Sequence, residues 1–302
     1  MILICLVSLI IILGLFSLFM IGVKLQQQPT ANLTWKDYLT LFLSGVLAFF
    51  ADTLGLGSFA VNRALTRVME TFDKNEIAAV NNIAQVLPGV LEALFFVYLF
   101  PVDLTTLLVL VAGAGIGGAL SGVMIRYGSH YSSLLIKASY LFIISLLVLH
   151  QFRLLNLGGD LGALSTMQLF LGFFAMIVCG ALTAVGVGLF IMVQGILFLM
   201  NLSPMFAFPI MTVAGAVQQP ITSLIILQST PNIPLKKTMI YSLSGCFGVL
   251  AAMYLFTQIT VTWLHTLVFL ILIYNLFVDD SVNRKKPCIS KKACIGSLRL
   301  IH

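Results

Sequence analysis

FFADTLGLGSFA, residues 49–60, has a distant counterpart in GALTAVGVGLFI, residues 180–191. Laid on each other, the two stretches pair Gly55 with Gly186 and Gly57 with Gly188. The same offset of 131 pairs Gly117 with Gly248. In both stretches a Gly-x-Gly interrupts an apolar, helix-like run, where one glycine already lowers helix stability by about 1 kcal/mol. Each is followed by an amide-rich apolar segment, NNIAQVLP at residues 81–88 and AVQQP at residues 216–220. Paired, interrupted hydrophobic segments in two halves of a chain point to a transporter's binding site. The halves, residues 40–150 and 168–280, share little identity, so the duplication draws its weight from the hydropathy around it.

Apolar residues make up 60% of the 302-residue chain and charged residues only 9%, whereas a soluble domain carries about 25% charge. Apolar runs of roughly 17–25 residues recur along almost the whole length, each long enough to cross a bilayer as a helix. The expected class is an all-α polytopic membrane protein with no room for a sizeable soluble domain. The net charge of +6 is not a nucleic-acid footprint, because six of the sixteen Lys/Arg lie in the last nineteen residues. Arg284, Lys285, Lys286, Lys291, Lys292 and Arg299 form a tail suited to the cytoplasmic face of an anionic leaflet. Residues 1–23 lack a basic start and a small-residue cleavage site, and read as a retained helix rather than a signal peptide. Cys5, Cys179, Cys246, Cys288 and Cys294 match no zinc or redox spacing, and His130, His150, His265 and His302 form no cluster. No metal site is expected.

Candidate spans fall at 1–23, 77–99, 104–126, 131–150, 205–228, 238–259 and 262–279. Segments 39–72 and 168–200 are too long for one helix and break at the Gly-x-Gly. Each is either a broken span or a re-entrant hairpin. Broken spans give four crossings per repeat and parallel repeats; hairpins give three and inverted repeats. With the tail in the cytoplasm, hairpins leave fourteen of the sixteen basic residues on that side or in its tail, and broken spans leave eleven. The positive-inside rule therefore favours inverted repeats. The chain divides into an N-terminal helix and loop (1–37), repeat 1 (38–151), a linker (152–167), repeat 2 (168–280) and the basic tail (281–302).

Ionisable groups in hydrocarbon are costly and mark a pathway or a pairing. Asp52 sits at the first break, flanked by Thr53 and Ser58, and Thr183 precedes the second. Helices restarting at Ser58 and Gly188 would aim free N–H groups and positive dipole ends at one cavity. The competing reading is close helix packing by the glycines, with Asp52 a cap. Asn81, Asn82 and Gln85 share one helix face, as do Gln218, Gln219 and Thr222; such amides either bind an oxyanion or join helices. Arg63 and Arg67, one turn apart, form either a snorkelling interfacial face or an anion-gathering entrance. Glu92 and Lys137 either pair or serve proton coupling. The candidate binding residues are thus Asp52, Thr53, Gly55, Gly57, Ser58, Asn81, Asn82, Gln85, Thr183, Gly186, Gly188, Gln218 and Gln219.

At FFADTLGLGSFAVNRAL (residues 49–65) and EIAAVNNIAQVLPG (residues 76–89) the sequence resembles the TauE/SafE family of sulfite-exporter-like permeases. The resemblance covers roughly residues 38–280. The Asp52–Ala60 motif is close to the form of one large bacterial branch; the richer Gly-Gly-Gly form is absent, and Gly186-Val187-Gly188 is weaker still. The resemblance implies a duplicated membrane unit that exports small anions, with sulfite, thiosulfate, sulfonates or small organic acids as candidates. It implies no cofactor and no covalent chemistry. The expected partners are a small anionic substrate and the lipid bilayer of the cell membrane, with no nucleic acid; a homo-oligomer is compatible with the sequence. A non-transporting membrane assembly subunit is the alternative. An intramembrane enzyme is disfavoured because no histidine lies near the breaks and Thr183 offers Asp52 no carboxylate partner.

Overall fold

The computed structural model describes residues 2–29, 32–128, 132–151, 159, 161–228 and 233–256. The span expected at 262–279, the basic tail, most of the linker and Cys288, Cys294, His130, His265 and His302 lie outside the described residues. The helices are α1 (Ile2–Gln26), α2 (Trp35–Thr53), α3 (Ser58–Met69), α4 (Ile77–Ala84), α5 (Val86–Leu99), α6 (Leu104–Arg126), α7 (Ser133–Gln151), α8 (Thr166–Leu182), α9 (Leu189–Leu199), α10 (Pro204–Leu227) and α11 (Leu235–Phe256). No strand occurs among the described residues, only an isolated bridge between Leu161 and Leu202. Five helices are long and apolar enough to cross a membrane, and the bent pair α4–α5 makes a sixth. The protein is an all-α, multi-pass membrane protein.

Its helices begin, stop and pack with devices that recur at one spacing. α2 opens on a capping box formed by Thr34 and Asp37, and α8 on one formed by Ser165 and Gln168. Each box satisfies two of the N–H groups that a helix start leaves open. Hydrogen bonds from the Thr34 backbone and hydroxyl hold the exposed Asp37 carboxyl below its usual range. α2 stops where Gly55 takes φ +88° and Gly186 ends the second run at φ +93°. Leu56 N–H reaches Ala51 O at 2.9 Å and Gly55 N–H reaches Asp52 O at 2.8 Å; Val187 reaches Leu182 at 3.3 Å and Gly186 reaches Thr183 at 3.2 Å. This is the Schellman closure, which needs a left-handed residue that glycine adopts without steric cost. The boxes and the closures each lie 131 residues apart.

After each stop the chain folds back. Met69 Sδ, at the end of α3, lies 3.1 Å from Ser44 Oγ on α2. Gln168 Nε2, on the first turn of α8, donates to Met200 O just after α9 at 3.2 Å. Segments 39–72 and 168–200 are therefore helical hairpins. Packing crosses between the halves: α2 lies on α11 and α8 on α6. Glycine makes both approaches close. A Cβ on Gly117 would run into Ile177 O and one on Gly248 into Val46 O, again partners 131 apart.

The centre is α10, with 83% of its apolar stretch buried against 22% for α1. It lies along α6, where Gly115 faces Val217, Gly118 faces Gln218 and Gly122 faces Ile225, so the two helices run the same way. It lies on α5 in reverse order, with Gly89 beside Gln219 and Phe96 stacked on Phe208 at 5.2 Å. The segment read as one span at 77–99 bends by 47° around Gln85. Pro88 has no N–H for the Ala84 carbonyl four residues before it, a common cause of kinks. Ser242 Oγ on α11 donates to that carbonyl instead, at 2.6 Å.

A short bifunctional thiol reagent should link Ser44→Cys to Met69→Cys in a background with the native cysteines replaced. Peptide mass spectrometry should recover the 44–69 pair in high yield. No link, with the protein intact, would mean that α3 continues away from α2.

Candidate functional site

The two breaks touch. A Cβ on Gly57 would stand 2.9 Å from Ile191 Cγ1 on α9, and one on Gly188 would stand 3.1 Å from Phe59 Cβ on α3. Around this contact all thirteen residues named from the sequence are buried. Eight lie at the turns of the two hairpins, and the other five on α4, at the α4–α5 bend and on α10, which join them.

At the first break Asp52 holds the new helix. Its Oδ1 accepts from Ser58 N–H at 2.5 Å, and its Oδ2 accepts from Gln85 Nε2. Ser58 Oγ donates to Gln85 Oε1 at 2.5 Å, which closes a ring of three residues. Asp52 is thus a cap for α3, one of the two roles open at the sequence level. Thr53 Oγ1 lies 2.7 Å from Glu92 Oε1 and 2.9 Å from Phe49 O, so its single proton is shared between the two. Further along α3, Asn62 Nδ2 donates to Asn81 Oδ1.

The second break is built differently. Thr183 Oγ1 lies 2.8 Å from Ser121 Oγ on α6 and 3.1 Å from Gln218 Nε2 on α10. The same Gln218 nitrogen lies 3.2 Å from Asn82 Oδ1 and 2.8 Å from Thr222 Oγ1. An amide has two N–H groups, so three acceptors share two protons. Asn81 thus meets Asn62 of the first hairpin and Asn82 meets Gln218 of α10, so the two do not act as the single amide face expected from their spacing. No side chain caps α9, and Gly188 at its start is in extended conformation.

Several buried atoms have no hydrogen-bond partner among the described residues: Gln219 Nε2 and Oε1, Gln218 Oε1, Asn81 Nδ2 and Glu92 Oε2. An unpaired buried polar group costs about 1–3 kcal/mol, so such atoms call for an explanation. Gln219 concentrates them. Its amide lies against Gly89 and Gly215, where a Cβ would sit 3.3 Å and 3.1 Å from its Oε1, and the Phe190 ring of α9 meets the same face of Gly215.

Three sequence readings change. Arg63 is buried, with its guanidinium carbon 6.0 Å from the Tyr140 ring centre, so it does not snorkel to an interface. Arg67 is the more exposed of the two. Glu92 has Thr53 as its partner instead of Lys137. A second carboxyl does lie near Asp52, contributed by α5 and not by the counterpart position Thr183. Ser121, Asn62 and Glu92 belong to the network but were absent from the candidate set. Glu92 had a usable signal, since it lies seven residues beyond Gln85, two turns along the same face. Among the described residues no three His, Cys, Asp or Glu side chains come together as a metal site.

The chain matches no family model, no curated protein and no solved structure in the three comparisons made.

Removing the Asp52 cap should destabilise the protein. Asp52→Ala leaves Ser58 N–H and the Gln85 amide unpaired, at about 1–3 kcal/mol each. Asp52→Asn keeps an acceptor and the shape, and asparagine is itself a good cap. Thermal unfolding in detergent should rank wild type above Asp52→Asn and both above Asp52→Ala. Equal melting of all three would remove Asp52 from the cap.

Proposed function

We propose that the chain is a secondary transporter that exports a small anion across the cell membrane by alternating access between two inverted repeats. The observation that carries this reading is Gln219. It is a fully buried amide with both polar atoms unpaired among the described residues, beside the point where two broken helices meet. A purely structural amide in this position would find partners, as Gln85 does with both its polar atoms. An amide that serves a substrate is left open when the substrate is away.

Helix directions support the inversion. α6 and α10 run the same way, with α7 and the α8–α9 hairpin between them. If α7 crosses once, the hairpin makes no net crossing. Hairpin, α4–α5, α6 and α7 then give three crossings, and an odd number turns the second repeat upside down. The recurrence at 131 residues of capping box, Schellman closure and glycine contact supports the duplication itself. The charge count favours the same arrangement, with the basic tail in the cytoplasm.

Two features favour an anion. The start of α9 carries no side-chain cap, so its N–H groups and dipole are available. Asn81 Nδ2 and Gln219 Nε2 are buried donors without acceptors. Donors of this kind hold an anion without fixing an unpaired full charge in the low-dielectric interior when the site is empty. Weak, distributed binding also lets the anion leave. The resemblance to TauE/SafE permeases points to sulfite, thiosulfate, sulfonates or short organic acids. Alternating access would then be a rocking of the hairpin pairs, α2–α3 with α11 and α8–α9 with α6, about the contact between Gly57 and Gly188.

A flux assay in liposomes, over a panel of sulfur oxyanions, short sulfonates and carboxylates, tests the reading. Wild type should move at least one of them. Gln219→Leu should lose most of that flux while melting at or above the wild-type temperature, since it removes an unpaired amide. Gly57→Val should abolish flux, because φ at Gly57 is +79° and the added side chain meets Ile191. No flux of any panel member by wild type, or undiminished flux in Gln219→Leu, would contradict the reading.

A further inference from the structure

We propose that Glu92, positioned by Thr53, is a proton-binding site through which anion flux is coupled to protons; this rests on the transport reading above. Glu92 is completely buried in α5. Its Oε1 lies 2.7 Å from Thr53 Oγ1, and its Oε2 has no partner among the described residues. The partner that does hold it belongs to the last residue of α2, directly before the first break. The carboxyl therefore bridges the fixed centre of the molecule and the hairpin that the transport reading sets in motion.

Among the described residues its surroundings supply no compensating charge. α10, which packs along α5, contains no titratable residue, and α4 contains none either. α1 carries only Cys5 and Lys24, at opposite ends. α11 brings Tyr241 and Cys246 toward the two carboxyls, and α2 brings Asp52. Lys236 and Lys237 stand at the far start of α11, on its first turn. Phe96, one turn beyond Glu92, stacks on Phe208 and meets Phe256 edge-on at 5.0 Å, so the wall on that side is aromatic. Asp52 differs from Glu92 in one respect. Both its oxygens are satisfied, by Ser58 N–H and Gln85, so it can hold its charge as a cap. Glu92 has an oxygen to spare and no donor for it. A lone carboxylate oxygen in an apolar interior is far more costly than the neutral acid, so the open oxygen is where a proton resides.

The position also couples it to the anion. Gly89, one turn before Glu92 on α5, lies against the Gln219 amide. An anion held by Gln219 and an ionised Glu92 would repel at close range, so the two sites favour being filled together, and by linkage each raises the affinity of the other. When the hairpin opens, the Glu92 O–H releases its proton to water and the anion departs. The proton number balances, with one taken up on one side and one given up on the other. Net direction follows the two gradients.

Glu92→Gln keeps the size and the Thr53 contact but cannot exchange a proton. In liposomes containing a transported panel anion, acid on the side holding the anion should speed wild-type flux. Glu92→Gln should keep anion-for-anion exchange without a pH gradient and lose the acceleration. An acceleration equal to that of wild type would overturn the proposal. A wild type that moves anions with no response to pH would also overturn it while leaving the transport reading intact. A readout independent of transport is the infrared pH titration of the reconstituted protein. The carbonyl band of a buried neutral carboxyl should be present in wild type and Asp52→Asn and missing from Glu92→Gln. If the band is absent from wild type, or survives in Glu92→Gln, Glu92 does not bind the proton.

Discussion

Two helices stop in the apolar interior of this protein, at Gly55 and Gly186, and a stopped helix presents carbonyl and N–H groups that lipid cannot satisfy. The Schellman bonds at the two glycines close the first set of groups, the carbonyls. They also decide the direction of the chain, since the left-handed residue turns it back on itself. Everything else in the centre depends on this closure. The return arms can lie beside α2 and α8, the restarting helices can face each other, and Gly57 and Gly188 can bring them into contact. Irregular backbone at such depth is tolerated where it is buried in protein or lines a cavity, and both breaks are fully enclosed.

The N–H groups of the restarting helices are treated unequally, and this asymmetry sets the chemistry. In the first hairpin Asp52 reaches Ser58 N–H and a ring with Gln85 locks it there. In the second hairpin the corresponding residue is Thr183, whose hydroxyl turns toward Ser121 and Gln218 and leaves α9 uncapped. One half is thus closed by its own carboxylate, while no side chain among the described residues closes the other. The unpaired Gln219 amide meets the Phe190 end of α9 across Gly215. The first half carries both carboxyls, Asp52 and Glu92, and open amide donors occur in both halves, on Asn81 and on Gln219.

The breaks were legible because glycine is the residue that a left-handed stop requires, and the offset at Gly55/Gly186 and Gly117/Gly248 could be read directly from the chain. The capping boxes at Thr34 and Ser165 lie at the same offset and add to that signal. The choice between a re-entrant hairpin and a broken span rested on the charge count, an indirect route, because no local feature distinguishes the two. Arg63 looked interfacial because its one-turn spacing from Arg67 describes a basic helix face. Its burial against Tyr140 of α7 is a tertiary fact with no local trace. The partner of Glu92 was hidden for the same reason, since Thr53 is 39 residues away and joined to it only across the break. The bend at Gln85 lay one step beyond what was read: Pro88 was visible, but the hydroxyl that takes up the freed Ala84 carbonyl belongs to Ser242 in the other half.

The central claim is that the meeting point of the two breaks is where an anion binds. A structure of the protein in lipid nanodiscs with a transported sulfur oxyanion or sulfonate bound tests it most directly. The account predicts anion density within hydrogen-bond reach of Gln219 Nε2 and of the first N–H groups of α9, with the Asp52–Ser58–Gln85 ring still closed. Density elsewhere in the molecule, with the Gln219 amide still unoccupied, would contradict it.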